Sequence, residues 1–119
     1  MNNKEKTVRI KKEIARLKKL FSKIEKEKRD SVSSLIENIA FMTVSLEELR
    51  DIINAKGYTE EYQNGANQKG VKKCSEVEIY NVMIKNYISA FKQLNDLLPR
   101  EEKVEVDDGF EAFINSRRD

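Results

Sequence analysis

Six basic side chains recur at intervals of three and four residues near the start of the sequence, and their shared chemistry is the binding of anions. They are Arg9, Lys12, Arg16, Lys19, Lys23 and Lys26. On a helix, with about 100° of rotation per residue, all six fall within one sector of about 100°. The row would extend about 27 Å at 1.5 Å per residue, and duplex DNA carries about one phosphate charge per 1.7 Å of its axis. The spacing therefore favours a contact with the backbone of duplex DNA.

This basic row is also compatible with roles that do not involve DNA. A lysine-rich face can simply be solvated, and a basic amphipathic helix can lie on anionic lipid or bind a calmodulin-like partner. The chain has no tryptophan and the apolar stripe of this helix is narrow, which argues against lipid. The distribution of charge favours a polyanion, because residues 1–30 hold 12 Lys and Arg against 5 Asp and Glu, whereas residues 31–119 hold 11 against 16.

The residue types that catalysis or metal binding would need are scarce. The chain has one cysteine, Cys74, and no histidine, so an internal disulfide is excluded and a zinc site or a Cys-His nucleophile has little to be built from. Gly65 and Gly70 have the outer spacing of a phosphate-binding Walker loop, but Val71 stands where that loop requires lysine. We therefore expect a protein that is not an enzyme and uses no metal or cofactor.

The elements that must position the basic row are helices, since the chain is 37% charged and has a single proline among 119 residues. A stripe of apolar residues with 4-3-4-3 spacing predicts a first helix at about residues 5–29. The stripe consists of Ile10, Ile14, Leu17, Phe21 and Ile24. The second helix begins near Asp30 or at the capping-box pair Ser34 and Glu37, unless it continues the first, and Gly57 ends it.

A third helix begins at Ser75 and stops at Pro99. We predict an all-α fold with a basic N-terminal helix in residues 1–30, a long helical hairpin in 31–99, and an acidic-aromatic tail with a short helix in 100–119. Residues 57–73 form a glycine-rich loop between the hairpin helices. Within it, Asn64-Gly65 is a favoured type I′ pair, so "EYQ-NG-ANQ" could make a very small β-hairpin.

The third helix carries more apolar surface than a helical hairpin can cover. One stripe with 3-4 spacing runs along it, and Ile79, Met83, Ala90 and Leu97 form a second stripe beside the first. We expect self-association through this surplus, although the core of an ordinary three-helix bundle would also account for it. The residues expected at the contact between copies are Tyr80, Met83, Ile84, Tyr87, Phe91 and Leu94.

Three large apolar residues lie in the acidic tail beyond Pro99, namely Phe110, Phe113 and Ile114. Such a segment is typical of a docking motif for another protein. Packing of the tail onto its own domain or onto a neighbouring copy is the alternative. Apolar runs elsewhere are too short for a membrane span and the basic N-terminus lacks the apolar part of a secretory signal, so we expect no membrane contact and a cytosolic protein.

The loop and the third helix together resemble the small terminase subunits of tailed bacteriophages. In the loop the similarity lies in "YQNGANQKGVKK", at Tyr62-Gln63-Asn64-Gly65, Gln68, Gly70 and Lys72. On the helix it lies at Tyr80, Lys85, Tyr87, Lys92, Leu94 and Leu97-Leu98-Pro99. The segments "AFMTVSLEEL" and "DDGFEAFINS" extend it over roughly residues 35–115. Cys74-Ser75 departs from the pattern, since relatives often have Ser-Pro there, which changes the helix cap.

This resemblance implies a non-enzymatic, helical protein that forms rings and acts in the cytoplasm of the infected bacterial host. It would bind double-stranded viral DNA at the packaging start, and recruit and modulate the large terminase subunit, which holds the ATPase and nuclease. Within that scheme we expect Lys12, Arg16, Lys19 and Lys23 to carry most DNA affinity and Phe110 and Phe113 to dock the large subunit. A direct role of Lys69, Lys72 and Lys73 on DNA stays open. The rival interpretation is a helical adaptor or scaffold that binds only protein.

Overall fold

The computed structural model describes residues 1–24 and 26–99. Its elements, in chain order, are the helix α1 (Asn3–Leu20), a 3-10 turn (Lys26–Lys28), the helix α2 (Arg29–Lys56), the strands β1 (Thr59–Gln63) and β2 (Lys69–Lys73), and the helix α3 (Ser75–Asp96). The prediction of a mainly helical chain is confirmed, with the addition of a two-stranded antiparallel sheet. The tail residues Phe110, Phe113 and Ile114 lie outside the described residues.

The first helix is shorter than the sequence pattern predicts. It begins at Asn3 and is capped by Asn2, whose side chain accepts a hydrogen bond from the Glu5 N–H at 2.8 Å. It ends at Leu20 instead of residue 29, and the chain turns so that Phe21 and Ile24 are both buried. No glycine or proline forces this turn. Burial of two large side chains outweighs the weak preference of the local sequence for continuing the helix.

Arg29 holds the turn from the far side. Its guanidinium donates to the carbonyl of Ser22 at 3.3 Å and to that of Ile24 at 3.5 Å, so carbonyls that a continuing helix would have bonded are satisfied by a side chain. The second helix starts at Arg29, which places Ser34 inside it and makes the predicted capping box wrong. Its predicted end is confirmed, because Gly57 has φ +90° and donates to the Ile53 carbonyl at 2.7 Å.

One apolar core joins the three helices near the C-terminal ends of α1 and α3. The predicted stripe of α1 packs there with the first half of α2, and the Phe21 and Phe91 rings meet edge to face with centroids 5.8 Å apart. The buried residues of this core are Leu17, Phe21, Ile24, Val32, Ile36, Ile39, Ala40, Leu94 and Leu98. The first half of α3 is less covered, since its outer side chains stay exposed.

The strands form a longer hairpin than the Asn64-Gly65 pair predicts. That pair would place the second strand at residues 66–68, but Gln63 is opposite Lys69 and β2 runs to Lys73. The connection closes with a hydrogen bond from the Asn64 N–H to the Gln68 carbonyl at 2.8 Å. Gly65 has φ +75° in this loop, a conformation that glycine adopts without steric cost.

Ion pairs fix the hairpin to the ends of its flanking helices. The Lys56 ammonium lies 2.7 Å from a Glu76 carboxylate oxygen and 3.2 Å from one of Glu60, so it joins α2, β1 and α3. Lys72 on β2 also contacts Glu60, at 3.6 Å. The hydrogen bond to Lys56 is the largest influence that lowers the pKa of Glu76, and those to Glu76 and Glu60 raise the pKa of Lys56.

Candidate nucleic-acid interface

The solvent-facing side of α1 is lined by lysines. Ile10, Ile14 and Leu17 turn the other side of the helix towards the core. The lysines left in solvent are exposed and form no ion pair with any part of the chain that the structure describes; they are Lys4, Lys11, Lys12, Lys18 and Lys19. From the first to the last, they extend along about 22 Å of helix axis.

The two predicted arginines lie elsewhere, at the flank of α1 that faces α2. Arg9 forms an ion pair with Glu47. Arg16 donates from Nε to Glu13 at 3.0 Å and makes a second contact with the same carboxylate through Nη2. These hydrogen bonds raise the pKa of Arg16, so its charge is matched within the chain. Both arginines therefore have local partners that a phosphate would have to displace.

A third cation on the same side of the molecule is engaged in the same way. The Lys6 ammonium lies 3.2 Å from a Glu48 carboxylate oxygen and 5.0 Å from the centre of the Phe41 ring. Together with the pair between Arg9 and Glu47, this contact supports the orientation of α1 on α2 that packing of its apolar stripe sets. The lysine face of α1 is thereby held towards solvent instead of being free to roll against the second helix.

Lys23 and Lys26 do not continue the row along the first helix. Both are exposed, but they lie in the turn after Leu20, where the chain has left the axis of α1. The predicted single row of about 27 Å is therefore wrong beyond Lys19. The two lysines still add positive charge beside the C-terminal end of α1.

Lys11 and Lys18 were missed because the 3-4 spacing selects only one sector of the helix. They are seven residues apart, as Lys12 and Lys19 are, and lie about 100° away from that pair around the axis. The sequence does contain a signal that identifies them. Once the apolar stripe defines the buried side, the lysines on the opposite side of the helix belong to the exposed face.

The lysine face suits phosphate and not base recognition. Lysine ammonium groups act as flexible point charges that can follow a backbone, whereas reading of base edges relies on the bidentate geometry of arginine, asparagine or glutamine. The two arginines of α1 are held by carboxylates. This face can therefore bind nucleic acid mainly through its backbone charge, with affinity that falls as salt rises.

The residues predicted at a contact between copies lie in three different settings on α3. Leu94 has no exposed surface and is part of the core of its own chain, so it is not available to a second copy. Tyr87 and Phe91 pack against that core and are partly buried. Tyr80, Met83 and Ile84 are half-buried. The most exposed apolar side chains of the helix were not predicted as contact residues: Ile79 (50%), Val82 (62%) and Ile88 (57%).

Two of the three loop lysines are free. Lys69 and Lys73 on β2 are exposed and form no ion pair within the described residues, whereas Lys72 contacts Glu60. Gly70 lies beneath the Tyr62 ring, where a Cβ would come within 2.7 Å of a ring carbon. Close packing of an aromatic ring, and not an unusual φ, is thus the reason for glycine at this position.

Comparison of the chain with protein-family models, with curated proteins and with solved structures found no match. No helix in the described part of the chain has the length and apolar character that a membrane crossing requires.

Proposed function

We propose that this protein is the small subunit of a phage terminase, which binds double-stranded viral DNA and presents it to the large ATPase and nuclease subunit. The observation that carries the DNA-binding part is the set of exposed lysines on α1 that no carboxylate of the described chain neutralises. The resemblance of the loop and of α3 to small terminases supplies the rest, including the viral context.

The structure changes which side chains we assign to DNA. Arg16 is matched by Glu13, and Lys23 lies beyond the helix. The proposal now rests on two pairs of lysines, Lys11 with Lys18 and Lys12 with Lys19, which lie side by side on the exposed face. One copy offers only a modest electrostatic contact. Several copies in one assembly would act together, because linked sites raise the effective concentration of each other.

Self-association fits the exposed apolar residues of α3. Ile79 and Val82 lie on one flank of the helix and Ile88 on the opposite flank, so the core contact in the middle is bordered by uncovered apolar surface on both sides. Two uncovered flanks suit an assembly in which each copy has a neighbour on either side, as a ring requires. The same surface is what favours the second candidate, a helical adaptor that binds only protein.

The deciding experiment measures DNA affinity at several salt concentrations for two double variants. Each variant removes two charges seven residues apart. One combines Lys12→Ala with Lys19→Ala, and the other combines Lys11→Ala with Lys18→Ala. Lys85→Ala with Lys92→Ala is the matched control, since these lysines are also exposed and seven residues apart, but lie on α3. If each lysine neutralises one phosphate, each α1 variant lowers the slope of log affinity against log salt by about 1.8 per copy.

The control variant is expected to keep the affinity and slope of the unchanged protein. Equal effects of the three double variants would mean that binding responds only to net charge, and would contradict the assignment to α1. No measurable affinity of the unchanged protein for duplex DNA at about 50 mM salt would contradict the terminase proposal and favour the protein-binding adaptor.

A further inference from the structure

The two strands of the hairpin carry opposite charge. The β1 strand, Thr59–Gln63, contains the acids Glu60 and Glu61 and no basic residue. The β2 strand, Lys69–Lys73, contains three lysines and no acid. Among the described elements, these strands make their main contacts with each other and not with the helices. The hairpin therefore presents an acidic outer edge on one side and a basic outer edge on the other.

Within residues 1–24 and 26–99, both outer edges of the hairpin leave backbone groups that could bond to a further strand. Two hydrogen bonds define which residue pairs bond across the hairpin. The Cys74 N–H donates to the Tyr58 carbonyl, and the Asn64 N–H donates to the Gln68 carbonyl. Because bonded and non-bonded pairs alternate, the residues between them direct their N–H and C=O groups outward. These are Thr59, Glu61 and Gln63 on β1, and Lys69, Val71 and Lys73 on β2.

The outward residues are also the ones whose charges are unmatched. Glu60 and Lys72 contact each other across the hairpin. Glu61, Lys69 and Lys73 are exposed and form no ion pair in the portion of the chain that is described, and Glu61 lies opposite the exposed Val71. A two-stranded ribbon alone is marginally stable in water, so a hairpin whose main packing contacts are between its own strands gains from a further strand at either edge.

We propose that this hairpin pairs head to tail between copies of the chain, with β1 of one copy beside β2 of the next in an antiparallel sheet. The inference rests on the proposed assembly and specifies one contact within it. Antiparallel pairing of like edges would place Glu61 against Glu61, or Lys69 of one copy against Lys73 of the other, and like charges directly opposite each other are destabilising. Only the unlike edges match in charge, and their pairing gives a heterologous contact, which repeats from copy to copy instead of forming a two-fold dimer. Such a contact builds a ring when the rotation between copies closes.

Charge reversal on each edge tests this pairing. One variant carries Glu61→Lys, and the other carries Lys69→Glu with Lys73→Glu. Either change places like charges across the proposed contact and should raise the protein concentration for half-assembly at least about tenfold. Glu37→Lys is the control for the first variant, because Glu37 is exposed on α2, far from the hairpin along the chain. Light scattering behind a sizing column gives the mass relative to the single chain of 13.9 kDa.

Restoration separates a broken contact from a damaged hairpin. Equimolar mixing of the two defective variants restores opposite charges at every contact between unlike chains, so copies that alternate should restore the assembled mass. The chain that carries all three reversals should also assemble. Three results would each overturn the inference. The charge-reversed variants could assemble like the unchanged protein, both restorations could fail, or the unchanged protein could be a single chain at every concentration. Duplex DNA binding, measured on the same samples of unchanged protein, judges the terminase proposal separately.

Discussion

Replacement of Leu94 by alanine tests whether this residue belongs to the core of its own chain or to a contact between copies. Leu94 has no exposed surface and lies in the cluster that joins α1, α2 and α3. Truncation of a fully buried leucine costs about 3 kcal/mol, partly for the cavity that remains. With an unfolding entropy of about 2.1 cal/mol/K per residue over the whole chain, this corresponds to a fall in melting temperature of roughly 12 °C.

The control is Leu20→Ala at the end of α1, because it is the same substitution at a side chain that is 55% exposed. Substitution at a surface site usually changes stability by less than about 0.5 kcal/mol. Thermal unfolding followed by circular dichroism at several protein concentrations compares the two variants. The loss for Leu94→Ala should be the same at every concentration, whereas a loss that arises from a contact between copies depends on concentration. A melting temperature within about 3 °C of the unchanged protein would refute the docking of α3 described here.

Three further predictions follow from single contacts. The mutual contact lowers the pKa of Glu76 and raises that of Lys56, so the stability from this pair is constant between about pH 5 and pH 10. It falls as pH drops through the pKa of Glu76, and it falls again as pH rises through the pKa of Lys56. Denaturant unfolding at several pH values should therefore show a weaker acid dependence in Glu76→Gln, and an unaltered acid dependence would contradict the contact. Gly65→Ala places a Cβ at φ +75°, which should destabilise the closed loop by about 1 kcal/mol. Hydrogen exchange at the Asn64 amide should then be about fivefold faster, with a smaller increase in Gly65→Asn. The Tyr62 ring over Gly70 should shift the Gly70 α-proton resonances upfield, and Tyr62→Leu should abolish that shift; equal resonances in both proteins would rule out the stacked ring.

Local signals in the sequence located most helix ends correctly. Gly57 ends α2 because its positive φ is a conformation that other residues rarely adopt, and Pro99 follows the last turn of α3 because it cannot continue a helix. The predicted apolar stripe faces the core, with Ile10 and Ile14 partly buried and Leu17 fully buried, since 4-3-4 spacing defines one side of a helix. Each of these features depends on residues within one or two turns of one another, so a single sequence contains the information.

The end of α1 could not be read in the same way. Residues 18–29 contain neither glycine nor proline, so local preference favours an unbroken helix. The turn forms because Phe21 and Ile24 reach a core that is completed by Leu94 and Leu98, some 70 residues later in the chain. Contacts over such separations leave no periodic signal. The ion pair between Arg9 and Glu47 could not be predicted from the sequence for the same reason.

The pairing of the α1 arginines with carboxylates changes the kind of DNA recognition that we propose for α1. The sequence pattern treats arginines and lysines alike, but the fold engages Arg9 and Arg16 with carboxylates and leaves lysines exposed. Lysine contributes charge without the planar fork that discriminates bases. A single copy should therefore bind different duplexes almost equally. Removal of any one lysine should weaken binding to the same extent for every sequence. Selection of a packaging start would then depend on DNA shape, or on how several lysine faces are spaced by the assembly, because neither requires base contacts from α1.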